Sequence, residues 1–262
     1  MRLFRATSQR RNTPAGANRS GPLDPVAAYD RIAPVYATLA AEHRAYLDAI
    51  DALVVSGIPA GSHSLLDVGA GDGARARGIA RAAGLNELTL LEPSAEMRRH
   101  WPTDAKGWTM RAEELKSVAG EFDAIICLWN VLGHIFPAAN RIEALRQFAR
   151  LVAPGGKIFV DVNHRYNAAK YGALPTLSRV ISDKIFPGDE NGDVAVAWDI
   201  SGIHCSTIGH VFTHREFHRI AGAAGLTIEK RRVIDYATGR QRKQSFRGNL
   251  LYVLRRGRTE LE

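Results

Sequence analysis

Between residues 64 and 163 the chain alternates short apolar runs with amphipathic ones, and this rhythm limits its fold more than any other feature. SLLDVGA (64–70), LTLLEP (88–93), FDAIICLWN (122–130) and KIFVDVN (157–163) are too short for helices. They lack a polar face, as strands covered on both sides do. GWTMRAEEL (107–115) holds a weaker strand between them. GARARGIARAAG (73–84), SAEMRRHW (94–101) and NRIEALRQFARLVAPGG (140–156) read as helices. Gly84 stops the first, Ser94 caps the second and Pro154-Gly155-Gly156 ends the third. Five βα units in series predict an α/β chain with a parallel, doubly wound sheet and right-handed crossovers.

Around this series, residues 24–57 read as helices that Pro34 breaks or starts. THREFHRIAGAAG (213–225) is a further helix, and TIEKRRVIDY (227–236) and NLLYVLRR (249–256) are two final strands. The stretch 164–212 is too long for a plain connection and is expected to form a cap over a substrate site. A length of 262 residues with 45% apolar content suits one large domain with decorations, spanning 25–262. Residues 1–24 carry five Arg against Asp24 and no apolar h-region, and they read as a disordered basic leader. Residues 229–262 hold ten Lys or Arg against four acids, while the body between is close to neutral. The basic ends read as solvated edges. No apolar run is long enough to span a membrane. Cys127 and Cys205 lack metal-like spacing, which suits a reduced cytoplasmic protein without a disulfide or metal.

The first strand runs into Asp67-Val68-Gly69-Ala70-Gly71-Asp72-Gly73. Gly69 and Gly71 allow a sharp turn and close approach to a ligand, and the next helix opens with free N–H groups. Gly69-x-Gly71-x-x-Ala74 also satisfies the dinucleotide fingerprint, so a nicotinamide oxidoreductase stays open at this point. Glu92 ends the second strand, where a carboxylate takes both hydroxyls of a ribose. It signals adenosine binding rather than a reaction.

Taken in order, LLDVGAGDG, LTLLEPS, FDAIICLWNVLGHI and LVAPGGKIFVDV resemble the successive motifs of class I, Rossmann-like, S-adenosylmethionine-dependent methyltransferases. The resemblance covers roughly residues 26–256. It implies a seven-stranded sheet with the last strand antiparallel, N-terminal helices and an inserted cap, with S-adenosylmethionine as cofactor. It implies that Asp67, Gly69 and Gly71 surround the methionine part and that Glu92 holds the ribose. Pro93 and Met97 join the cofactor contacts, and Leu128 and Trp129 line the cofactor beside the methyl group. Tyr29, in the run Tyr29–Tyr36, resembles the tyrosine of an opening helix that folds over the cofactor. One position departs from the family: Arg111 stands where an Asp often meets the adenine amine. Arg cannot accept that hydrogen bond, so Glu113 or a backbone carbonyl is expected to take it.

For the acceptor, Asn130 and His134 are four apart, which in a helical turn places them on one face. The pattern is similar to the Asn-x-Leu-x-His of glycine and sarcosine N-methyltransferases, and its Gly-His core to amino-sugar N-methyltransferases. The run from Asp161 to Tyr166 is loosely similar to a segment of the glycine group, and Asp161 shares a strand face with Asn163. His134 is the expected base for the acceptor's proton, with Asn130 and Asp161 beside it. The competing readings are a capping or core histidine and a strand-end polar pair. His204 and His210, in the cap, read chiefly as structural. The Pro-Pro-aromatic turn of nucleic-acid amino-methylating enzymes is missing, and Cys127 lies inside a strand with no Pro before it. The expectation is methyl transfer to a nitrogen or oxygen of a small molecule, nitrogen favoured, by a chain free to form a homo-oligomer. RNA or other nucleic-acid methylation and a noncatalytic cofactor-binding scaffold are the alternatives.

Overall fold

The computed structural model describes residues 22–101, 103 and 106–257. The expected leader lies outside the described residues up to position 21. From Leu23 onward the chain is tied down, its N–H donating to the Ser206 carbonyl at 2.9 Å. Asp24 caps helix α1 (Pro25–Ile32) by accepting from the Val26 N–H, with Pro25 at the first helical position. Pro34 sits in a 3-10 turn (Ala33–Val35) that leads into α2 (Tyr36–Glu42). In α3 (Arg44–Gly57), Tyr46, Leu47, Ile50 and Val54 form one buried face.

The βα series follows as β1 (Ser64–Val68), α4 (Ala74–Ala83), β2 (Glu87–Leu91), α5 (Ala95–Arg98), β3 (Lys106–Trp108), β4 (Phe122–Cys127), α6 (Ala138–Leu151) and β5 (Val152–Val162). The third strand is shorter than its sequence suggests because Ala112–Ser117 winds into a 3-10 turn, closed by the Arg111–Glu114 capping pair. The stretch after β5 folds into α7 (Ala168–Tyr171), α8 (Ala173–Ile185) and a hairpin of β6 (Asp193–Ile200) and β7 (Ile203–His210). Then come α9 (His214–Ala223), β8 (Leu226–Ile234), β9 (Gln241–Arg242) and β10 (Asn249–Arg256).

The main sheet has the order β3-β2-β1-β4-β5-β10-β8-β9. The seven expected strands are present, and the two-residue β9 extends the edge as an eighth. β1 to β5 are parallel, while β10 runs antiparallel to both β5 and β8. Tyr46, Leu47 and Ile50 of α3 pack with Ile79 of α4 on Leu65, Ile126 and Phe159 of one sheet face. Phe148 of α6 and Phe217 of α9 pack on Ile125, Ile158 and Tyr252 of the other. Strand order reverses between β1 and β4, so the crevice that open α/β sheets use for ligands opens at their carboxyl ends. The hairpin closes beside it, packing Trp198, Ile200 and Cys205 on Ala28 and Ile32 of α1. Among the described residues no helix is long and apolar enough to cross a membrane.

Candidate active site

At the carboxyl end of β1 the backbone turns through Gly69, Gly71 and Gly73, all with positive φ. A Cβ on Gly69 would stand 2.5 Å from both methyls of Val131, and one on Gly71 would stand 3.3 Å from the Tyr36 hydroxyl. The loop therefore has no room for a side chain at Gly69 and little at Gly71. Glu92, at the end of β2, secures it. Its Oε2 accepts the Gly71 N–H at 2.9 Å and its Oε1 the Ser94 N–H at 2.8 Å. A carboxylate has about four acceptor directions, so two remain for a ribose diol. Burial raises the Glu92 pKa, against the two backbone N–H groups that lower it. Burial also pushes Asp67 up to about 7, with Arg75 pulling it the other way.

The loop after β4 carries two consecutive left-handed residues, Trp129 (φ 57°) and Asn130 (φ 63°). A bulky residue is strained there unless its surroundings impose the conformation. Here they do. The Trp129 N–H donates to Asp161 Oδ2 at 3.0 Å, and the Asn130 N–H to the Asp161 carbonyl at 3.0 Å. The Tyr46 hydroxyl donates to Asp161 Oδ1 at 2.6 Å. The indole N–H of Trp129 donates to the Tyr236 hydroxyl at 3.2 Å, and its ring stands 5.8 Å from that of Tyr36.

These bonds engage two of the expected residues. Asn130 and His134 do not lie on one α-helical turn: Asn130 precedes a 3-10 turn (Val131–His134) in a left-handed conformation. Its Oδ1 accepts the Asn163 N–H and its Nδ2 donates to the His210 carbonyl, so its amide binds β5 to β7. Gly133 packs against this link, where a Cβ would collide with the Asn130 amide and the His210 carbonyl. Asp161, buried, spends both oxygens on Tyr46 and Trp129. Both residues hold the β4 loop in shape, and neither lines the cleft.

The cleft encloses about 960 Å³ of space with its open mouth included. Tyr29, Asp67, Gly69, Gly71, Glu92, Pro93, Met97, Glu113, Leu128 and Trp129 all line it, and so does His134. His134 Nδ1 lies 3.1 Å from the Ile208 carbonyl of β7. A carbonyl accepts only, so Nδ1 carries the proton and Nε2 keeps its lone pair. Tyr29 meets the ring edge-on at 5.5 Å, and Trp198 lies 6.4 Å away. Burial lowers the His134 pKa to about 4. Of the cap histidines, His204 pairs with Asp199 at the surface, and His210 is buried between Asp193 (2.5 Å) and Glu216 (2.7 Å). Arg111 is turned to Asp24, and Glu113 accepts from Asn140 with one oxygen. Tyr36 and Arg75 line the cleft as well. Tyr36 closes the run whose first tyrosine drew notice, whereas Arg75 sits in a stretch that reads only as helix.

The residues 39–231 match a family model described as a methyltransferase domain. Among curated protein sequences nothing matches. Solved structures share the fold at low identity. The methyltransferase CcbJ from Streptomyces caelestis is 16% identical, over 80% of this chain and 90% of that one, with a TM-score of 0.62. The sugar N-methyltransferase KedS8 from a Streptoalloteichus species is 18% identical, over 95% and 100%, with a TM-score of 0.58. CalS10, a structure with S-adenosylmethionine bound, is an amino pentose methyltransferase from Micromonospora echinaspora. It is 18% identical, over 85% and 96%, with a TM-score of 0.54.

Proposed function

The chain belongs to the methyltransferase domain family, and from that premise we propose that it moves a methyl group from S-adenosylmethionine to a nitrogen, or an oxygen, of a small molecule. S-adenosylmethionine is the donor, and the cleft suits it: glycines where a Cβ would intrude, spare acceptor sites on Glu92 and a buried cation in the wall. The sulfonium supplies an activated methyl group. What remains for the chain is to align the acceptor and keep water out. Two of the similar structures are named for sugar substrates, one of them for N-methylation, which supports an amino-sugar-like acceptor. Cys127 and Cys205 are buried free thiols, which suits the reducing cytoplasm we assign.

The observation that carries the acceptor reading is His134. The β7 carbonyl holds its tautomer and leaves Nε2 with a lone pair for the acceptor's proton. The test is release of S-adenosylhomocysteine in the presence of a panel of amino sugars and their nucleotide-linked forms. His134→Ala is expected to lower turnover roughly 10²–10⁴-fold, the share of a general base, with affinity for S-adenosylhomocysteine unchanged. Near-normal turnover in His134→Gln, which keeps a hydrogen bond but takes no proton, would refute the base role.

A further inference from the structure

A surface helix normally turns its apolar stripe to the core and its charges to water. Helix α8 (Ala173–Ile185) does the reverse. Its polar side faces the body of the protein. There Asp183 accepts from Arg165 Nε at 2.6 Å and Nη2 at 2.7 Å, and from the Tyr166 hydroxyl at 2.7 Å. The Arg165–Asp183 pair is nearly covered, with 8% and 14% exposure. Thr176 is buried and donates to the Gly172 carbonyl, and the Arg179 guanidinium lies 4.4 Å from the centre of the Tyr171 ring. The opposite side carries Leu174, Leu177, Ile181 and Ile185, with Phe186 just past the helix end. Spacings of three, four and four put the first four on one stripe, and all five are exposed by 49% to 80%. The covered ion pair fixes how the helix is rotated, so the stripe cannot turn inward without breaking it.

We propose that this stripe seats a second copy of the chain, two α8 helices packing antiparallel across a two-fold axis. The stripe holds no charged side chain, and Ser178, small and uncharged, stands within it. A Leu, Ile or Phe side chain offers roughly 150–200 Å² of surface, so five at these exposures leave about 500 Å² of apolar area in water. That lies at the upper end of what a monomer shows. Covered on both copies it comes to about 1,000 Å², the size at which a specific interface begins. The stripe also complements itself, as a two-fold contact requires. An axis at mid-helix sets Leu174 of one copy against Ile185 of the other, and Leu177 against Ile181. Spacings of three and four are those that interlock when helices pack side by side. The stripe lies outside the residues that line the cleft, so this contact does not depend on which ligand the cleft takes.

Sedimentation equilibrium of the full chain over roughly 1–100 µM tests this, since interfaces of such a size dissociate in the micromolar range or below. Wild type is expected to sediment as a dimer. Ile181→Asp places a carboxylate at the centre of the contact and is expected to raise the dissociation constant about 100-fold or more. Ile181→Ser removes apolar area without adding a charge and is expected to raise it by less. Ile181 is exposed in the single chain, so circular dichroism should show wild-type helix content in both variants. A wild-type chain that stays monomeric at about 100 µM, or a dimer that both variants leave intact, overturns the proposal.

Discussion

Glu92 is the residue whose removal tests the site most directly, because it serves the fold and the ligand through the same carboxylate. Its two oxygens accept the Gly71 and Ser94 N–H groups from within the wall of the cleft. A hydrogen bond to a charged group contributes about 1.5–3 kcal/mol. Taking the low end for each, Glu92→Ala costs the ligand-free protein roughly 3 kcal/mol. At about 2–4 °C per kcal/mol for a chain of this size, the melting temperature falls by roughly 6–12 °C. Glu92→Gln keeps one acceptor oxygen but turns an amide NH₂ toward a backbone donor. It is therefore expected to lose about half as much. The ligand effect comes in addition. The spare acceptor positions lost with the carboxylate are expected to weaken S-adenosylhomocysteine about tenfold or more. Scanning fluorimetry of the two variants, with and without S-adenosylhomocysteine, reads both quantities. An Ala variant that melts within about 2 °C of wild type would refute the claim that these two bonds hold the loop. A large loss of melting temperature with undiminished affinity would confine Glu92 to the loop and deny it the ribose.

Asp161 separates a carboxylate that holds the loop from one that reacts. Asp161→Asn is expected to keep the fold and most of the turnover, since the amide oxygen can accept from Trp129 while the Tyr46 hydroxyl turns to accept. Asp161→Ala strips both bonds and is expected to cost about 2–3 kcal/mol, read as a fall in melting temperature; equal loss of turnover in both variants would restore a catalytic role. The low pKa of His134, about 4, carries a signed pH dependence. Below its ordinary value the unfolded chain binds a proton that the folded chain refuses, so this group's contribution to stability falls as pH drops from about 6.5 to 4. Asp67, raised to about 7, acts in the opposite direction over that window. The effect is therefore read as a difference: melting temperature against pH should fall less steeply in His134→Gln than in wild type, and parallel curves would refute it.

How far the site could be read from the sequence depends on whether a role belongs to the backbone or to the free atoms of a side chain. The turn through Gly69 and Gly71 is set by local conformation, so a strand followed by glycines announces it. Most strands of the main sheet follow from their apolar runs in the same way; β3 is shorter than its run suggests, and the two-residue β9 and the half-exposed hairpin of β6 and β7 fall outside what that pattern announces. Asn130 and Asp161 are of the residue types a catalytic group would have, at the strand ends where one would sit. Yet a polar side chain is available for chemistry only if its lone pairs and protons are not already engaged. Those of Asp161 are engaged by Tyr46, more than a hundred positions away, and by the very peptide whose left-handed turn creates the cleft wall. Arg75 shows the reverse. In GARARGIARAAG it is one of several arginines on a helix, and nothing local distinguishes it from Arg77 or Arg81. It stands apart because Asp51, on a separate helix, claims one nitrogen and the fold buries another that meets no acceptor among the described residues. In both cases function is decided by which donors and acceptors remain unclaimed once distant segments have met, and that balance is a property of the fold.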